Sequence, residues 1–233
     1  DDNIFYMSNA RLSVRDSLVD WRELILGDQS SLILDKYHPY EDLPKMINPT
    51  SGYIFNTNNS PFNSTAEFEN LKEEDYNSTF SFMEEENNRS IRFMELIDEY
   101  EKLSYEDFKE IKYDQQYPDS ILYIGNISQI FDLDKSEFPN YENLIDLIQK
   151  WDRRGDIENI GAAQWSLYYS YMLDLLSEND LSVKDTIDIK FHLDALEKTK
   201  DRLMKNFGKL DIRLGDIQRL VRGDKSLPVS GLI

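Results

Sequence analysis

The chain has 233 residues, 40% of them hydrophobic, which is enough to bury a sizeable core in one domain or two. Its 45 acidic against 26 basic residues leave a net charge of −19, which argues against nucleic acid and anionic membrane surfaces as partners. It has no cysteine, so a disulfide framework and thiolate chemistry are excluded, and no apolar run reaches membrane-spanning length.

In chain order, Ile4-Phe5-Tyr6-Met7 within Asn3 to Met7 predicts a buried strand, and Gly52 to Asn56 a second one that runs into Asn58. Between them Trp21, the Leu24-Ile25-Leu26-Gly27-Asp28 turn and Tyr37-His38-Pro39-Tyr40 read as a long connection packed by aromatics. After Pro61 the pattern becomes helical. Ile91, Phe93, Met94, Leu96 and Ile97 give Asn87 to Leu103 the three- and four-residue spacing of an amphipathic helix. Ser104 before Tyr105-Glu106-Asp107 reads as a cap for a following helix. Tyr141 to Trp151, Ala162 to Ser177 and Val183 to Phe207 continue the theme, and Gly208 fits a helix end because it accepts a left-handed backbone. From Lys209 onward Gly, Asp and Pro recur, which predicts an extended return toward the sheet.

The run Asn48 to Phe62 carries the chemistry, since its Asn56-Thr57-Asn58-Asn59-Ser60-Pro61 core clusters side-chain amides at a predicted strand end. An amide N–H can be aimed at an oxygen that gains negative charge, although Asn, Ser and Pro also simply make turns. On a strand Asn59 would face away from Asn58, and Asn56 would share its face. The acidic runs Glu73-Glu74-Asp75 and Glu84-Glu85-Glu86 read as solvated faces. His38 and His192 are far apart and have no cysteine near them, so neither zinc ligation nor a histidine triad has a signature. Trp165, Tyr168 and Tyr169, with Phe80 and Phe82, fit either the wall of an apolar pocket or a core. Asn63, Asn77, Asn88 and Asn126 carry the weak N-glycosylation pattern.

Several separated segments resemble the penicillin acylase family of N-terminal nucleophile hydrolases, which includes penicillin amidases and acyl-homoserine lactone acylases. They are Asp20-Trp21 with Leu26-Gly27-Asp28, Leu43-Pro44, Asn48 to Pro61, Arg89-Ser90-Ile91-Arg92, Trp151-Asp152, Gly215 to Leu220, Arg222-Gly223-Asp224 and Leu227-Pro228. They cover nearly the whole chain in the expected order.

The resemblance implies an α+β fold: a fragment of a layered αββα sandwich with a large, mainly helical insertion. By this reading 1–61 belong to the sheet core, 62–208 form a helical subdomain that walls the cleft, and 209–233 return toward the core. It places the oxyanion-hole asparagine on Asn58. It places the arginine that positions that asparagine and the substrate on Arg89, with Arg92 as the alternative, each weighed against a salt bridge to Glu84-Glu85-Glu86 or Glu95. In this family an autocatalytic cut frees a Ser that attacks the amide with its own α-amine as base. Residue 1 is Asp, so the resemblance implies an internal piece of the large subunit that lacks its nucleophile and is inactive alone. The implied partners are a small acylated amine substrate, the small subunit and the rest of the large subunit. The implied location is periplasmic or secreted. No cofactor is expected; a structural calcium is possible in the full enzyme, and Glu67 or Glu69 lies near the relevant stretch without fitting its spacing. The competing reading is a non-catalytic acidic interaction module on the same scaffold.

Overall fold

The computed structural model describes residues 2–8, 11–21, 23–80, 82, 86–118, 120–122 and 124–232. The chain forms two compact units, Asp1–Ser90 and Ile91–Ile233.

In the first unit β1 (Phe5–Met7) pairs antiparallel with β2 (Lys45–Ile47), with Phe5 opposite Ile47, Tyr6 opposite Met46 and Met7 opposite Lys45. The predicted first strand is therefore real, but it is not buried: Ile4 is 38% and Phe5 53% exposed. Asn48 ends β2 by taking a left-handed backbone, φ 49°, which Asn tolerates better than most residues. Its side chain closes the ladder, since Oδ1 accepts from the Ile4 N–H at 2.8 Å. The second predicted strand does not form. After the turn through Gly52, residues 53–56 have no ladder partner. Single bonds hold them instead: the Phe55 N–H donates to the Ser64 carbonyl, and the Thr65 hydroxyl donates to the Tyr53 carbonyl.

The interior of this unit combines Leu43, Met46, Phe55 and Phe80 with buried Asn59, Ser60, Ser64, Thr65 and Ser90. His38 packs edge-on against Phe80, which meets Phe82. Earlier in the connection Leu24 and Leu26 are 90% and 62% exposed.

Helix α1 (Asn88–Ile97) runs across the boundary between the units and is shorter than its pattern predicts. Asp98, Glu99 and Glu101 follow it, and carboxylates oppose the negative end of a helix. Within the second unit α2 (Tyr105–Lys112) starts as expected: the Ser104 hydroxyl accepts from the Asp107 N–H, and the Asp107 carboxylate accepts from the Ser104 N–H.

The core lies among α3 (Glu142–Gln149), α4 (Ala162–Glu178) and α5 (Ile189–Phe207), where Leu144, Ile145, Ile148, Tyr168, Met172, Leu196 and Leu203 are fully buried. Helix α5 begins six residues later than predicted, because Asp188 caps it through the Lys190 N–H. Gly208 ends it at φ 70°. The short α6 (Leu214–Ile217) leads to β3 (Arg219–Arg222) and β4 (Lys225–Pro228), an exposed hairpin around Gly223 and Asp224. Among the described residues its two strands pair with each other. No described helix is long and apolar enough to cross a membrane.

Candidate functional site

The predicted asparagine cluster folds as a turn whose geometry is set by its own amides. Asn58 takes a left-handed backbone at φ 67°, so the alternation expected of a strand does not apply. Asn59 is buried beneath the turn. Its Oδ1 accepts from the Thr57 N–H at 2.7 Å and from the Thr57 hydroxyl at 3.0 Å, while its Nδ2 donates to the carbonyls of Ser60 and Asn63. The Asn56 Oδ1 accepts from the Asn58 N–H at 3.0 Å. Burial pushes the Tyr6 hydroxyl pKa up, and the Asn56 side chain offsets part of that rise.

Asn56 and Asn59 are thus committed to holding the chain. The Asn58 carboxamide is exposed and has no hydrogen-bond partner among the described residues. It is a donor on a braced turn, free to meet an acceptor.

Arg89 stands in the first turn of α1, exposed and with no ion pair among the described residues. Of the acidic run weighed as its partner, Glu84 and Glu85 lie outside the described residues, and the Glu86 carboxylate accepts from the Ser90 hydroxyl. Arg92 is engaged. Its guanidinium donates to Asp114 at 2.8 and 3.3 Å and to Glu95 at 3.1 Å, and these bonds, the Asp114 one foremost, raise its pKa above the usual arginine value.

Sequence reasoning missed Asn87, the residue before α1. Its Oδ1 accepts from the Arg89 and Ser90 N–H groups, both at 3.0 Å, and its Nδ2 donates to the Thr57 carbonyl at 3.3 Å. An Asn immediately before an apolar-periodic run is a helix-start signal, so the capping half was readable.

Other candidates have structural work. The Glu69 carboxylate braces the Thr50–Ser51 turn; desolvation works against its charge, but hydrogen bonds from the Thr50 and Ser51 N–H groups outweigh this and lower its pKa. Among the described residues no cluster of three or more His, Asp or Glu could hold a metal. Trp165 is core, stacked between Trp151 and Tyr169, and Tyr168 is fully buried. His192 is fully buried with its Nδ1 2.6 Å from the Tyr168 hydroxyl.

These features define an α+β chain that presents one free amide on a hydrogen-bonded turn near a capped helix start. The chain belongs to the penicillin amidase family, whose sequence model matches residues 1–226. It is also similar to the structure of a thermostable penicillin G acylase from Alcaligenes faecalis, with 16% identity and a TM-score of 0.54. That match covers 88% of this chain and 45% of the other, so this chain spans less than half the length of that relative. At this identity the likeness is one of fold.

Proposed function

We propose that the chain supplies the oxyanion-binding part of an acylase that hydrolyses the amide of an N-acylated compound. The observation that carries this reading is the free carboxamide of Asn58, held at φ 67° while its neighbours' amides are spent on the turn. As a nucleophile attacks an amide carbonyl, its oxygen becomes an oxyanion, and an N–H aimed in advance at that oxygen stabilises the transition state more than the ground state. Arg89 is the positioning cation in this reading, because its guanidinium is uncommitted where that of Arg92 is paired.

The nucleophile is a Ser supplied from outside these 233 residues, with its own α-amine as base; an α-amine titrates at about 7.7–8.0 and accepts a proton near neutral pH. An acyl-enzyme forms and water hydrolyses it. The whole enzyme is a layered αββα sandwich with a small subunit and a helical insertion, periplasmic or secreted. Its substrates are penicillin-type β-lactams, lipopeptides or acyl-homoserine lactones. The isolated chain hydrolyses no amide.

The test is Asn58→Ala in the full-length protein that contains this chain, assayed on chromogenic phenylacetyl and fatty-acyl amides. The expected loss in kcat is roughly 100- to 1,000-fold, the effect of deleting one oxyanion donor. An unchanged kcat overturns the reading. Intact mass and N-terminal sequencing of the mature product test the nucleophile. A large subunit that begins with Ser, Thr or Cys and contains Asn58 supports the acylase, and an uncut product favours the acidic interaction module.

A further inference from the structure

We propose that Asn87 is a positioning residue that locks Asn58 and Arg89 into one register, an inference that rests on the oxyanion role of Asn58. The peptide between Thr57 and Asn58 has two polar groups, and each meets an asparagine side chain. Its N–H donates to the Asn56 Oδ1 at 3.0 Å, and its carbonyl accepts from the Asn87 Nδ2 at 3.3 Å. The plane of that peptide sets φ at Asn58, and φ aims the Cα–Cβ bond that carries the free amide. Asparagine tolerates a left-handed backbone better than most residues, and at Asn58 the two hydrogen bonds on this peptide hold the chain there.

The same side chain holds the arginine. Its Oδ1 receives the N–H groups of Arg89 and Ser90, and its own N–H donates to the Ser90 hydroxyl at 3.1 Å, so the first turn of α1 is capped in both directions. Two N–H donors converging on one atom identify that atom as the oxygen, which leaves Nδ2 to face Thr57. The turn that aims Asn58 and the helix that carries Arg89 are 30 residues apart in sequence and meet on one amide.

The two halves of the amide can be separated. Asn87→Asp keeps an oxygen for the Arg89 and Ser90 N–H groups and puts an acceptor against the Thr57 carbonyl. Asn87→Ser keeps a helix cap, removes the donor and adds no charge. In the full-length protein both are expected to keep Tm within about 2 °C of the parent, since the cap survives. Both should lower kcat roughly 10- to 100-fold, the scale of a misplaced catalytic group, with KM within about twofold. On an Asn58→Ala background neither should lower kcat further, because both variants keep the cap beneath Arg89 and remove only the bond that aims Asn58. A kcat within twofold of the parent in Asn87→Ser, or an equal loss with Asn58 present and absent, overturns the inference while the oxyanion reading stands. If Asn58→Ala alone leaves kcat unchanged, the oxyanion reading fails and this inference falls with it.

Discussion

The two units are held together by different physics. In residues 91–233 an apolar cluster runs through α3, α4 and α5, with Ile145, Ile148, Met172 and Leu196 fully buried and the rings of Trp151, Trp165 and Tyr169 stacked. In residues 1–90 the buried residues include Ser64 and Thr65, both fully enclosed, and Asn59 at 8% exposure. Segments there are joined by side-chain hydrogen bonds. The Asn70 Oδ1 takes the N–H groups of both Ser64 and Thr65, and the Thr65 hydroxyl reaches the Tyr53 carbonyl. Apolar burial is non-directional, so it stabilises many arrangements about equally, whereas a hydrogen bond specifies distance and angle. The turn that presents Asn58 lies in the unit whose contacts are directional, which suits a group that must be aimed.

The sharpest way to break this comparison is to remove apolar volume from the second unit. Trp165→Ala deletes the ring that meets Phe131 at 5.0 Å, Tyr169 at 5.2 Å and Trp151 at 5.8 Å. The expected cost is about 3–5 kcal/mol of unfolding free energy, measured by urea denaturation with amide exchange resolving the two units. A loss below about 1 kcal/mol would mean that the cluster does not carry the unit.

Next in size is a pH effect from the same core. Burial lowers the His192 pKa from 6.5 to about 4. On acidification the unfolded chain takes up the proton first, so this contribution to stability is complete above about pH 6.5, is lost as pH falls from there to about 4, and is flat below. The slope within that window is at most about 1.4 kcal/mol per pH unit. Comparison with His192→Asn isolates it from the carboxylates, which titrate mainly at lower pH. The difference between parent and variant should shrink as pH falls from 7 to 5, and a pH-independent difference would place the proton elsewhere.

What the sequence made legible follows the range of the forces involved. Helices α3 and α4 were readable to within about a residue at each start because three- and four-residue apolar spacing is local, and so were the Ser104 cap and the Gly208 stop. The α+β class and the family came from motifs spread along the chain. The strand at Gly52 to Asn56 was misread because its composition suits a strand, while partners at Ser64 and Thr65 replace the ladder. Arg92 could not be separated from Arg89 by spacing, since its main partner, Asp114, is 22 residues away. The contact of Asn87 with Thr57 was hidden for the same reason: a cap leaves a local signature, and a side-chain bond across 30 residues leaves none.

The smallest predicted effect tests the polar half of the comparison. Thr65→Val preserves shape and removes the hydroxyl that donates to the Tyr53 carbonyl at 2.8 Å and meets the Ser51 hydroxyl at 2.8 Å. A buried group that loses its partner costs about 1–3 kcal/mol, against about 0.5–1.5 kcal/mol for the net worth of an ordinary hydrogen bond. The first unit should therefore lose about 1–3 kcal/mol by amide exchange, with the second unit unchanged. Adding Ser51→Ala should cost less than it does in the parent, because that hydroxyl has already lost Thr65 and the two changes share one interaction. If Thr65→Val is neutral, the residues around the Asn58 turn are held by something other than these bonds. If it is costly and the second change is not additive, the polar interior is the frame that keeps the turn in place.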